Sequence, residues 1–164
     1  REYIIDRDLD PMFSATVNLV AEDGQSLEVV PGESDEAMLR YRTSFYGMGM
    51  GHHGTPEFEG PALQSFTHRL IDHMDPQWNR HGLVCMVGAD GYRAIFSFSE
   101  LFNRADQLSA ILAIPEDPMD GGYYRIFHPL DFYADRSVKS LAEIYFFHGS
   151  IKAIPAAAAT GSQP

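Results

Sequence analysis

Arg136, Ser137 and Lys139 bring a guanidinium, a hydroxyl and an ammonium group together in one short segment. That set suits phosphate or another polyoxygen anion, because the guanidinium offers a planar fork and the ammonium a compact point charge. A second polar group stands upstream, where His52 and His53 fall in the run Phe45 to Gly54, with glycines at 47, 49, 51 and 54. Glycines at this density let backbone N–H groups approach a ligand closely and take positive φ. Imidazoles in such a loop suit hydrogen bonding, proton transfer or metal ligation. The run is not a nucleotide P-loop, since no Gly-Lys-Ser/Thr follows it. His128, flanked by Phe127 and Pro129, reads either as a hydrogen-bonded structural residue or as a third ligand contact.

Strands and turns must position these groups. The alternation of Tyr124, Ile126 and His128 predicts a strand that Pro129 ends, which leaves Leu130 to Asp135 as an exposed loop. Leu83 to Val87 and Tyr92 to Phe96 flank Asp90-Gly91 and predict a hairpin. Ser97 and Glu100 have the spacing of a capping box that opens a short helix. Leu108 to Ile114 reads as a buried strand, and Pro115 to Gly122 as a turn-rich connection. Near the start, Val17, Leu19, Leu27 and Val29 around Glu22-Asp23-Gly24 predict another hairpin. Ser34 is then expected to cap a short helix carrying Ala37, Met38 and Tyr41. Gly60-Pro61 is expected to start a helix with Leu63, Phe66, Leu70 and Met74 on its core face, stopped by Pro76. Trp78 follows it either as a packing lid over the core, the favoured reading, or as a stacking plate for a flat ring. His68, His73 and His81 lack metal-binding spacing.

The chain has 164 residues and 45% hydrophobic content, enough for one domain with a core of its own. Residues 15–150 form that domain, with an irregular arm over 1–14 and a flexible tail, rich in Ala and Gly, over 151–164. Twelve Lys and Arg against 23 Asp and Glu give a net charge of −11. Phosphate-backbone binding wants a basic surface, so nucleic acid is not an expected partner. The single cysteine, Cys85, leaves no internal disulfide, and no apolar run has the length of a membrane span. A chain that begins at Arg1 is compatible with processing, and the expected setting is soluble and periplasmic.

Three stretches in order resemble the sulfite-oxidase-type molybdopterin-binding domain. Arg136-Ser137-Val138-Lys139-Ser140-Leu141-Ala142-Glu143-Ile144 resembles its R-S-V-K-W-L-x-x-I segment. Phe58-Glu59-Gly60-Pro61-Ala62-Leu63 resembles its F-x-G-V-P-L stretch. Ala89-Asp90-Gly91-Tyr92 through Phe96-Ser97-Phe98-Ser99-Glu100-Leu101 is similar to its A-D-G-Y-x-x-x-F-S-L-x-E-L hairpin and helix start. The resemblance implies an α+β fold of mixed or antiparallel sheets with short peripheral helices. It also implies a molybdopterin or another pterin as cofactor, held between the 45–54 and 128–139 loops. In that role Arg136 and Lys139 neutralise the anionic tail, Ser137 hydrogen-bonds, His52 or His53 meets the ring or the metal, and His128 contacts the ligand. Enzymes of the family hold molybdenum through a cysteine between the first strands and the F-x-G-V-P-L stretch. Here that interval, Thr43 to Gly54, has no cysteine. The implied function is therefore a pterin binder or sensor of oxidoreductase ancestry. The alternatives are a molybdenum oxidoreductase with non-cysteine ligation and a partner-docking domain with no cofactor.

Overall fold

The computed structural model describes residues 14–47, 49, 51–52, 54–72, 75–114 and 124–149. Almost all of the arm over 1–14, the tail over 151–164, and Pro115 to Gly122 lie outside the described residues. In chain order the strands are β1 (Val17–Ala21), β2 (Ser26–Val29), β3 (Met38–Arg42), β4 (Tyr46–Gly47), β5 (Gly51–His52) and β6 (Glu57–Pro61). Two short helices follow, α1 (Leu63–Thr67) and α2 (Pro76–His81), then β7 (Gly82–Gly88) and β8 (Arg93–Ser97). The chain continues through α3 (Phe98–Phe102), β9 (Ile111–Ala113), β10 (Arg125–Phe127) and β11 (Leu141–His148). This is an α+β arrangement of mostly strands with short helices. No helix among the described residues is long and apolar enough to cross a membrane.

Five strands form the main sheet in the order β2-β1-β11-β7-β8, and only the β1–β11 pairing is parallel. Alternation decides its faces. Val17, Leu19, Val84, Met86, Phe96, Ile144 and Phe146 are buried on one face, where α1, Trp78 of α2 and α3 add Leu63, Phe66 and Leu101. The predicted hairpins β1–β2 and β7–β8 are both present, as is the capping box. The Ser97 hydroxyl accepts from the Glu100 N–H at 3.2 Å, and the Glu100 carboxylate accepts from the Ser97 N–H at 3.3 Å.

The second layer is built from two antiparallel pairs, β3–β6 and β9–β10. Bridges from Glu59 to Ile114 and from Ala62 to Ile111 join them. Leu112 and Ile126 point into the main core, whereas Ile111, Ala113 and Phe127 meet Phe58 in a second cluster flanked by Leu39, Tyr41 and Phe45. The approach of β6 to β9 is so close that a Cβ on Gly60 would lie 2.1 Å from the Leu112 carbonyl oxygen.

Four expectations are corrected. Gly60 and Pro61 close strand β6 and do not start a helix, and α1 opens at Leu63 with Ala62 as its N-cap. Residues 38–42 form a strand, not a helix, because the Ser34 hydroxyl turns back to donate to the Pro31 carbonyl at 3.1 Å. Met38 to Arg42 then pair along β6. Pro76 starts a helix instead of stopping one: Asp75 accepts from the Gln77 N–H at 2.9 Å, and proline at the first helical position loses no hydrogen bond. Trp78 thus sits inside α2, 8% exposed and against Phe98. The strand expected over Leu108 to Ile114 is confined to Ile111–Ala113, since Asp106 accepts from the Leu108 N–H and Gln107 is left-handed at φ 58°.

Candidate functional site

The glycine-rich run is the tip of a long hairpin. Beyond the β3–β6 ladder, Thr43 N–H donates to the Pro56 carbonyl and Phe45 N–H to the Gly54 carbonyl. Tyr46 then pairs with His52, and Gly47 with Gly51. Gly49, Gly51 and Gly54 have φ of +75°, +81° and +97°, a region closed to most side chains, so the glycines permit the reversal.

This tip comes to rest on the loop after β10. Tyr46 forms a parallel bridge with Tyr133, and its ring stacks on Phe132 with centroids 4.8 Å apart and planes 11° apart. The His52 and Tyr46 ring centroids are 5.0 Å apart, and the Tyr133 and Phe132 rings meet at right angles with centroids 4.9 Å apart. Phe132 is 62% exposed, with Leu130 and Tyr133 exposed beside it in sequence. Behind the tip, Phe45, Phe58 and Phe127 continue the aromatic contacts into the second cluster. Tyr92 closes the other side, its hydroxyl donating to the Asp135 carbonyl at 2.6 Å.

Under this aromatic surface runs a chain of charges. Arg136 Nη2 donates to Glu100 Oε1 at 2.6 Å and to Asp131, and its guanidinium lies over the Phe96 ring at 4.3 Å. His128 is buried. Its Nε2 stands 3.0 Å from Arg104 Nη1 and 3.2 Å from the Glu100 carbonyl oxygen. Its Nδ1 stands 3.4 Å from Asp131 Oδ1, near enough for attraction though not aligned as a hydrogen bond. Burial opposes ionisation of Asp131, but its contacts with His128 and Arg136 outweigh this and hold the carboxyl below its usual range. Arg104 is fixed in turn by Asp106, whose carboxyl that contact lowers.

The six residues singled out from the sequence are thus divided. His52 lies on the hairpin tip, exposed and beside Tyr46, while His53 lies outside the described residues. Arg136 is half exposed and pairs with two carboxylates, and Ser137 Oγ donates to the Ile126 carbonyl at 2.9 Å. Lys139 is exposed, and the next residue, Ser140, turns the chain into β11 with a left-handed φ of 47°. His128 sits beneath the surface, held by Arg104 and Asp131. Cys85 lies on β7 in the main sheet, away from the hairpin tip. Among the described residues, no three of His, Cys, Asp and Glu converge as a metal-binding set. Sequence reasoning did not single out Tyr46 and Phe132, although the adjacent aromatics Phe45-Tyr46 and Phe132-Tyr133, each beside Gly or Asp in a loop, carried the signal. No family model matches this chain, and no curated protein matches it.

Proposed function

We propose that this chain binds a pterin-type cofactor, molybdopterin or a relative, as a binder or sensor of sulfite-oxidase-type ancestry. The observation that carries this reading is the stacking of Tyr46 on Phe132. It joins the two loops that the resemblance pairs around a cofactor and leaves an aromatic face exposed, and a flat heterocycle gains most from such a face. In this reading the pterin ring stacks on Phe132, which Tyr46 backs from its other side, His52 hydrogen-bonds the pterin edge, and Lys139 meets an anionic tail. Arg136, already shared between Glu100 and Asp131, holds the 131–136 loop against α3. His128 positions that loop through Asp131, and Ser137 fixes its end to β10. Molybdenum, when present in such cofactors, supplies redox chemistry. The residues here fit the ring and tail better than the metal, since 43–54 offers no thiolate.

The test is a fluorescence titration with pterin-6-carboxylate. Saturable quenching that Tyr46→Ala and Phe132→Ala each weaken supports the reading. Unsaturable quenching, or equal affinity in wild type and both variants, overturns it.

A further inference from the structure

Among the described residues, helices and the second layer pack on one face of the main sheet. On the other, Val20, Tyr145, Cys85 and Ile95 form a row across four strands, set by the pairings Val20 with Tyr145, Tyr145 with Cys85, and Cys85 with Ile95. Ile95 is 56% exposed there. Val20, Tyr145 and Cys85 of this row, together with Val87 and Phe147, line an open groove of about 580 Å³. That volume is in the range of small-molecule sites.

The polar groups around the groove differ in how well they are compensated. Glu22 accepts from His148 Nδ1 at 2.9 Å and from its N–H at 3.1 Å, contacts that hold its carboxyl low. Glu143 accepts from the Tyr145 hydroxyl at 2.9 Å. Arg93 reaches only the Gly91 carbonyl, at 3.5 Å, and among the described residues no carboxylate lies within ion-pair distance of it. A guanidinium without a counter-charge at the rim of an apolar groove is unexpected in a chain of net charge −11.

We infer that this groove is a second binding site, for an amphiphilic carboxylate whose apolar body lies on Val20, Cys85, Val87 and Phe147 and whose head pairs with Arg93. It is separate from the pterin surface. Arg93 and Ile95 project from the face of β8 opposite to Phe96, on which Arg136 rests.

Cys85, the only cysteine of the chain, lies in the groove and reports its occupancy. The experiment follows maleimide alkylation of Cys85 by intact mass, with decanoate or decanol present below their aggregation limits. Within each protein, the rate with ligand is divided by the rate without it. Decanoate is expected to protect wild type at about tenfold lower concentration than decanol, the ratio of one charge-assisted hydrogen bond. Arg93→Gln should bring the two ligands level, and Arg93→Lys should restore most of the difference. Equal protection of wild type by both ligands, or none by decanoate, overturns the proposal. So does protection that rises with protein concentration without ligand, because a second copy of the chain would then be the occupant.

Discussion

Glu100 and Arg136, thirty-six residues apart, are joined at 2.6 Å through Glu100 Oε1, while Glu100 Oε2 closes the cap of α3 on the Ser97 N–H. One carboxylate thus ties the loop that carries Phe132 and Tyr133 to the first turn of a helix packed on the main core. The hairpin tip and that loop meet over this anchor.

Separating the two bonds of Glu100 is a direct check. Ser97→Ala should cost about 1 kcal/mol, the usual loss for an N-cap hydroxyl. Glu100→Gln keeps an acceptor for the cap but loses the charge facing Arg136, so its main effect should be on the loop. Denaturant unfolding and amide exchange of residues 131–136 report the two effects separately. Faster exchange in Ser97→Ala than in Glu100→Gln would contradict the assignment.

Acid should loosen the same region through Asp131. Its carboxyl is held below the ordinary value near 3.8 by His128 and Arg136 against the cost of burial. A lowered folded-state value means that the ionised form stabilises the fold. This contribution is complete above about pH 4 and is lost as pH falls through the folded value. Asp131→Asn should therefore be less stable than wild type at neutral pH, by about 1.5–3 kcal/mol, with the gap closing below about pH 4. Thermal unfolding across that range measures it, and a gap independent of pH would contradict the argument.

Gly60 tests the contact between β6 and β9. A methyl group there would meet the Leu112 carbonyl at 2.1 Å, and backbone cannot swing aside as a side-chain tip can. Gly60→Ala should cost about 1–3 kcal/mol or prevent folding, as overpacking in a close-packed interior does. Equilibrium unfolding that matched wild type would show that the two strands are further apart.

Lys139 should discriminate ligands by charge. In the pterin reading Lys139→Ala weakens pterin-6-carboxylate by about two- to fivefold, the size of an exposed ion pair, and leaves neutral pterin unchanged. Equal loss for both ligands would assign Lys139 a different role.

Local chemistry made parts of this architecture legible in the sequence. Asp90-Gly91 specifies its own turn, Ser97 and Glu100 their own cap, and alternation their own strands, because the decisive contacts lie within a few residues. Met38 to Arg42 were not legible in this way. Their pairing with Glu57 to Pro61 is a long-range choice, and the Ser34 hydroxyl satisfied a nearer carbonyl instead of a helix. Pro76 is ambiguous in isolation, since proline both ends one helix and starts the next, and Asp75 decides between them. At the candidate site, the sequence named Arg136 and Ser137 for their donors but not for what those donors meet. Glu100 and the Ile126 carbonyl come from other elements, as does Tyr46, whose partner Phe132 is brought to it only by the folded hairpin.

The central claim is that a pterin belongs on the surface shared by Tyr46 and Phe132. The most direct measurement is to purify the protein from a host that makes molybdopterin, release bound small molecules by denaturation, and read them by fluorescence and mass alongside elemental analysis. The account predicts a pterin at about one per chain, without stoichiometric molybdenum or tungsten, and its loss in Tyr46→Ala. A pterin with stoichiometric metal would contradict the binder reading in favour of an oxidoreductase, and a protein that carries no pterin and takes none up when supplied would contradict the cofactor itself.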